Sequence, residues 1–133
     1  MQSPIRTLGT SLLIVVAASC GLSASETTLG KSTWGGDAAI LQVVEGGADI
    51  EFECAAGRIE GPIRIDSHGA FDVAGTWTAE GPGPTRDEGS ATAVRYRGQV
   101  KGDTMTLTVR SATAEIGTYA LTRDRQSILR KCR

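Results

Sequence analysis

The side chains able to do chemistry are few in this chain, and their spacing narrows what that chemistry could be. Its one histidine, His68, sits in Asp66-Ser67-His68-Gly69, an acid, a hydroxyl and a base in succession. Neighbouring positions of an extended chain splay their side chains apart, whereas a nucleophilic triad needs three groups converging on one point. The same four residues make a good turn, because Asp and Ser bond their own backbone and Gly supplies a left-handed position. Asp49, Glu51 and Glu53 alternate with apolar residues, which predicts an outer strand face, hydrated and without the shifted acidity that general acid–base catalysis requires. Gly81-Pro82-Gly83-Pro84 lacks the lysine and following helix of a phosphate loop. These patterns point away from an enzyme and call for no cofactor and no metal.

The three cysteines are more informative. Cys20 follows a positive end at Met1 and Arg6, a short apolar run over residues 12–18 (LLIVVAA) and small residues, the pattern of an export signal and too short to span a bilayer. Residues 16–20 (VAASC) look like a bacterial lipobox, which would make residues 1–19 a signal peptide and Cys20 a lipidated N-terminus facing the periplasm or cell surface. Leu22-Ser23-Ala24 also satisfies the small-residue rule, so cleavage after residue 24 to give a soluble exported protein stays open. Either way Cys54 and Cys132 are the two cysteines of the mature domain, and in an oxidising compartment they are expected to pair. Two separate buried thiols are the alternative, and a two-cysteine metal site would find one histidine to help it.

The elements that must position these residues read as strands. Residues 20–32 form a polar stretch expected to be a flexible tether. From residue 33 to 133 short alternating or β-branched runs are separated by turn signals every eight to twelve residues, the spacing of an all-β sandwich or barrel. The runs are 38–45, 48–54, 58–66, 70–79, 91–101, 104–110, 116–122 and 127–132. Gly46-Gly47, Ser67-His68-Gly69 and Gly102-Asp103 supply turns, and 80–89 (EGPGPTRDEG) is the main loop. Cys54 is expected to point inward, in phase with Ile50 and Phe52. Eight or nine strands joined by short turns make an antiparallel meander, and closure into a small barrel removes exposed edges; a β-sandwich is the alternative. A Cys54–Cys132 bridge would tie an early strand to the last one.

Charge divides the chain. Residues 25–85 hold ten acidic and three basic side chains, while residues 86–133 hold ten basic and five acidic. Neighbouring early and late strands could pair these charges across their outer faces. Alternatively Arg95, Arg97, Lys101, Arg110, Arg130, Lys131 and Arg133 form a basic patch for an acidic partner or anionic envelope polymer. Nucleic acid is not indicated, because the patch lacks interleaved aromatics and any known motif. The aromatics are Trp34, Phe52, Phe71, Trp77, Tyr96 and Tyr119. A small barrel is either filled by such side chains or just wide enough for one ligand, and Trp77 and Tyr96, flanking the long loop, are the expected lining of a mouth.

Cys54-Ala55-Ala56-Gly57, Ser90, Arg95-Tyr96, Lys101-Gly102 and the late Cys132 together resemble the periplasmic lipoprotein inhibitors of C-type lysozyme, which are small barrels. The resemblance implies Ser90, Arg95, Tyr96 and Lys101 as partner contacts. Trp34-Gly35-Gly36, Gly69-Ala70-Phe71, Arg95-Tyr96-Arg97-Gly98 and Gly102-Asp103-Thr104-Met105 are similar to small bacterial envelope proteins with no activity attached. The expectation is a non-catalytic envelope binding module, with an envelope protein, an anionic polymer or a small ligand as its partner.

Overall fold

The computed structural model describes residues 26–80 and 91–131, with the isolated positions 4, 9 and 14. The elements among them are all strands: β1 Thr27–Thr28, β2 Ser32–Gly35, β3 Ala39–Val44, β4 Gly47–Phe52, β5 Ala55–Glu60, β6 Arg64–Ile65, β7 Ala70–Ala79, β8 Thr92–Lys101, β9 Thr104–Arg110 and β10 Glu115–Arg123. Eight of them close an antiparallel barrel in the order β10-β2-β3-β4-β5-β7-β8-β9, so every barrel neighbour but the closing pair follows in sequence. Among the described residues no helix is long and apolar enough to cross a membrane.

The period-two pattern builds the wall. Leu41 and Val43 of β3, Ala48, Ile50 and Phe52 of β4, and Met105, Leu107 and Val109 of β9 are buried. Their intervening neighbours Gln42, Asp49, Glu51, Thr104 and Thr106 are exposed. Two glycines make the interior fit. A Cβ at Gly57 or at Gly75 would collide with the Tyr96 ring, so these positions on β5 and β7 are where the wall accepts that ring. The bend expected at Gly75 is thus a place of close approach.

The barrel has two unlike ends. At the lower end, Gly46 turns β3 into β4 with φ 78°, and Gly102 turns β8 into β9 with φ 59°. Asp66 shapes the connection into β7: its Oδ1 accepts from the His68 amide at 2.8 Å and the Ala70 amide at 3.0 Å. Those two bonds, Ala70 first, hold its carboxyl below the ordinary range. The turn expected at His68 is therefore present, and His68 is exposed within it. This end is plugged by Leu29 and Ile63, both buried, with the Leu29 amide donating to the Ile63 carbonyl at 2.8 Å.

Four expectations are corrected. Residues 27–32 are not a free tether: β1 pairs with β6, Leu29 enters the core, and β2 begins at Ser32. The run 58–66 is not one strand, because Gly61 takes φ 127° and separates β5 from β6. Residues 127–131 form no strand; Asp124, at φ 58°, turns the chain out of the ladder after β10. The β4 strand ends at Phe52, and Glu53-Cys54 is the two-residue turn into β5. That turn resets the alternation, so Cys54 is exposed and does not point into the core as expected.

Candidate site at the upper mouth

Among the described residues the upper end is open. It carries the Glu53-Cys54 turn, the end of β7 and the start of β10, and between them lies a cavity of about 480 Å³ walled by Phe52, Ala55, Trp77, Ile116 and Tyr119, with Glu53 at its rim. A depression of about 600 Å³ elsewhere, by Lys31, Gln42, Glu45 and Asp124, lies among mostly exposed polar side chains. The mouth is the better ligand seat because its walls are aromatic and apolar, which is how most small-molecule sites are lined.

Each wall residue arrives by its register. Trp77 pairs with Thr92 at the last step of the β7–β8 ladder, so it sits at the rim of the barrel. Phe52 is the final residue of β4, opposite Ala39. Tyr119 on β10 reaches the Phe52 ring, with centroids 5.0 Å apart and planes inclined at 47°, a tilted contact of the kind aromatic quadrupoles favour. Burial, and secondarily the Glu53 charge, hold the Tyr119 hydroxyl above its ordinary range.

The two tryptophans differ in one respect. Trp34, fully buried, donates its Nε1–H to Ser32 Oγ at 2.9 Å and carries the Arg123 guanidinium 4.6 Å from its ring centroid. Trp77 Nε1 is also shielded from solvent and finds no acceptor among the described residues. A buried donor left unpaired costs about 1 to 3 kcal/mol, and such groups in folded proteins call for an explanation.

Of the residues expected to make contacts, Trp77 is at the mouth and Tyr96 is not. Tyr96 pairs with Val73 midway along its ladder, is fully buried, and donates its hydroxyl to the Thr76 carbonyl at 2.5 Å. Burial first, and the neighbouring Tyr119 second, push that hydroxyl far above its ordinary range. Its place is the core, so it cannot be a partner contact. Arg95 and Arg97 lie on the outer face, both on Asp72, at 2.8 and 3.0 Å. Burial alone would raise the Asp72 carboxyl, but the hydrogen bonds and charges of those arginines outweigh it and hold it low. Lys101 is exposed at the far end of β8. The lipidation residue Cys20, Ser90 and Cys132 lie outside the described residues, and so do Gly81-Pro82-Gly83-Pro84 and Arg133.

Some of the charge is paired between the two halves of the chain. Arg125 meets Asp37 at 2.6 Å, and Lys131 meets Glu80 at 3.3 Å while donating to the Phe52 carbonyl at 3.0 Å. With Asp72 holding Arg95 and Arg97, four late cations are thus engaged by early acids. Among the described residues no cluster of His, Cys, Asp and Glu could hold a metal ion. The Cys54 carbonyl accepts from the Glu80 amide at 2.8 Å.

Sequence reasoning missed Phe52, Ile116 and Tyr119 as site residues, and placed Glu53 on an outer strand face. Phe52 reads as core and Tyr119 as ordinary strand; only the closing register brings them together. No family model matches the chain, and no curated protein and no solved structure shows significant similarity to it.

Proposed function

We propose that this is an exported, non-catalytic binding module of the cell envelope that takes a small ligand into the upper mouth of its barrel. The observation that carries this is a cavity of about 480 Å³ at the open end of the barrel, walled by Phe52, Ala55, Trp77, Ile116 and Tyr119 with Glu53 at its rim. Concave, mostly apolar and aromatic seats with a few polar groups are the usual form of small-molecule sites. The test is titration of the mature chain with the fluorophore 1-aminoanthracene. Fluorescence should rise saturably with the wild-type protein and much less with Ile116→Trp, which fills the mouth. No rise with a folded wild-type chain would retire the proposal.

Two further parts belong to it. The bridge runs from Cys54 to Cys132, supported by the engaged Cys54 sulfur and by Lys131, which places the residue before Cys132 against Phe52 and Glu80 at the upper end. Cys20 carries a lipid. Six residues lie between it and Thr27, and the seven chain steps reach at most about 25 Å, so an anchored barrel would keep its plugged end toward the membrane and its mouth away. Mass spectrometry of the mature chain tests both: an acylated Cys20, and a gain of about two hydrogens on reduction.

A further inference from the structure

Building on the mouth as a ligand seat, we propose that its occupant is a small organic cation, an alkylated ammonium. Three aromatic rings, those of Phe52, Trp77 and Tyr119, line the cavity together with two carboxylates, Glu53 and Glu80. Cations are attracted to such faces by the ring quadrupole, most strongly where water is displaced. The second acid at the mouth, Glu80, is already neutralised by Lys131, whereas Glu53 forms no ion pair among the described residues. Its charge is felt inside the site, where it raises the Tyr119 hydroxyl after burial has done so. An anionic ligand would meet that charge without a free cation lining the cavity among the described residues to offset it.

The degree of alkylation follows from hydrogen-bond supply. A primary ammonium brings three N–H donors, and the side chains walling the mouth offer two carboxylates, one of them engaged by Lys131, and one phenol among apolar groups. An alkylated ammonium brings few donors or none, so it enters without leaving any unpaired.

The probe is choline against its uncharged carbon isostere, 3,3-dimethyl-1-butanol, which differs in charge and hardly in shape. Binding to the full mature chain is read from the Trp77 indole N–H resonance, assigned with Trp77→Phe. Choline should shift this resonance saturably, and Glu53→Gln should weaken it roughly three- to tenfold while leaving the isostere unaffected. Equal binding of the isostere, or a Glu53→Gln variant that binds choline as tightly as wild type, overturns the cation. If neither compound binds but 1-aminoanthracene still does, the cation is overturned and the mouth stands. If all three fail in a folded chain, both fall.

Discussion

Tyr96→Phe isolates what the core asks of one hydroxyl. Its ring sits between Gly57 and Gly75, where no side chain intrudes, and phenylalanine fills the same space. The change removes one hydrogen bond, the donation to the Thr76 carbonyl at 2.5 Å. Losing a buried bond and leaving the carbonyl short of a partner costs about 1 to 2 kcal/mol. For a domain of this size that lowers Tm by about 5 to 10 °C, measured by calorimetry at neutral pH. Titration adds a second signature. The folded-state hydroxyl is raised above its ordinary value of 10.0, so its protonated form is favoured by the fold. Stability is then fully present below pH 10 and falls as pH rises beyond it, when the unfolded chain ionises and the native one does not. Tyr119, raised in the same direction, contributes the same sign, and the Phe variant should keep only that smaller alkaline loss. Binding of 1-aminoanthracene should not change, because Tyr96 does not line the mouth. An unchanged Tm, or an alkaline loss as steep as wild type, would refute the assigned role of this hydroxyl.

Gly98→Ala should destabilise by about 1 to 3 kcal/mol, since its Cβ would run into the Phe71 ring; urea unfolding measures it, and Phe71→Leu in the same chain should restore part. Asp72→Asn releases Arg95 and Arg97 but costs less than about 1 kcal/mol, because the pairs are solvent-screened. The Asp72 carboxyl lies below its ordinary 3.8, so the contribution is present above that pH and lost as pH falls through the lowered native value; the gap between wild type and variant in unfolding experiments should narrow as pH falls below 3.8. Cys54→Ser and Cys132→Ser should each cost roughly 4 to 5 kcal/mol by loop-closure entropy, and the double variant no more than either alone. Additive losses would mean the two cysteines are not partners.

Much of the wall was legible because period-two burial leaves a direct trace in sequence. The limits of β7 and β9 follow from alternation and their bounding turns, and closure follows from many short strands. Alternation tells which way a side chain points but says nothing of depth along the barrel axis. Trp77 and Tyr96 both point inward, yet Trp77 pairs with Thr92 at a ladder end while Tyr96 pairs with Val73 in the middle. One is therefore rim and the other core. Alternation also fails at turns, where Glu53-Cys54 shifts the phase and moves Cys54 outward and Glu53 to the rim. Residues 127–131 looked like a strand because Ile128 and Leu129 are apolar, but the left-handed Asp124 redirects the chain before a ladder can form.

The mouth lies where the barrel is held together least. The β9–β10 ladder joins seven residue pairs, whereas β10 meets β2 through two, Thr122 with Gly35 and Arg123 with Trp34. Above that short ladder β10 carries Ile116 and Tyr119 past the β2–β3 turn toward Phe52, and the gap between them is the cavity wall. What a ninth strand would have supplied comes instead from residues 124–131. The Asp124 amide donates to the Thr33 carbonyl near the lower end, Arg125 pairs with Asp37, and Lys131 reaches Phe52 and Glu80 at the upper end. This segment ties the seam at its two ends while leaving the wall between Phe52 and Tyr119 unladdered. A full ladder there would bring the strands to about 4.8 Å and bury the aromatic faces against each other. The proposed bridge at Cys54 would strengthen the tie on the very turn that carries Glu53.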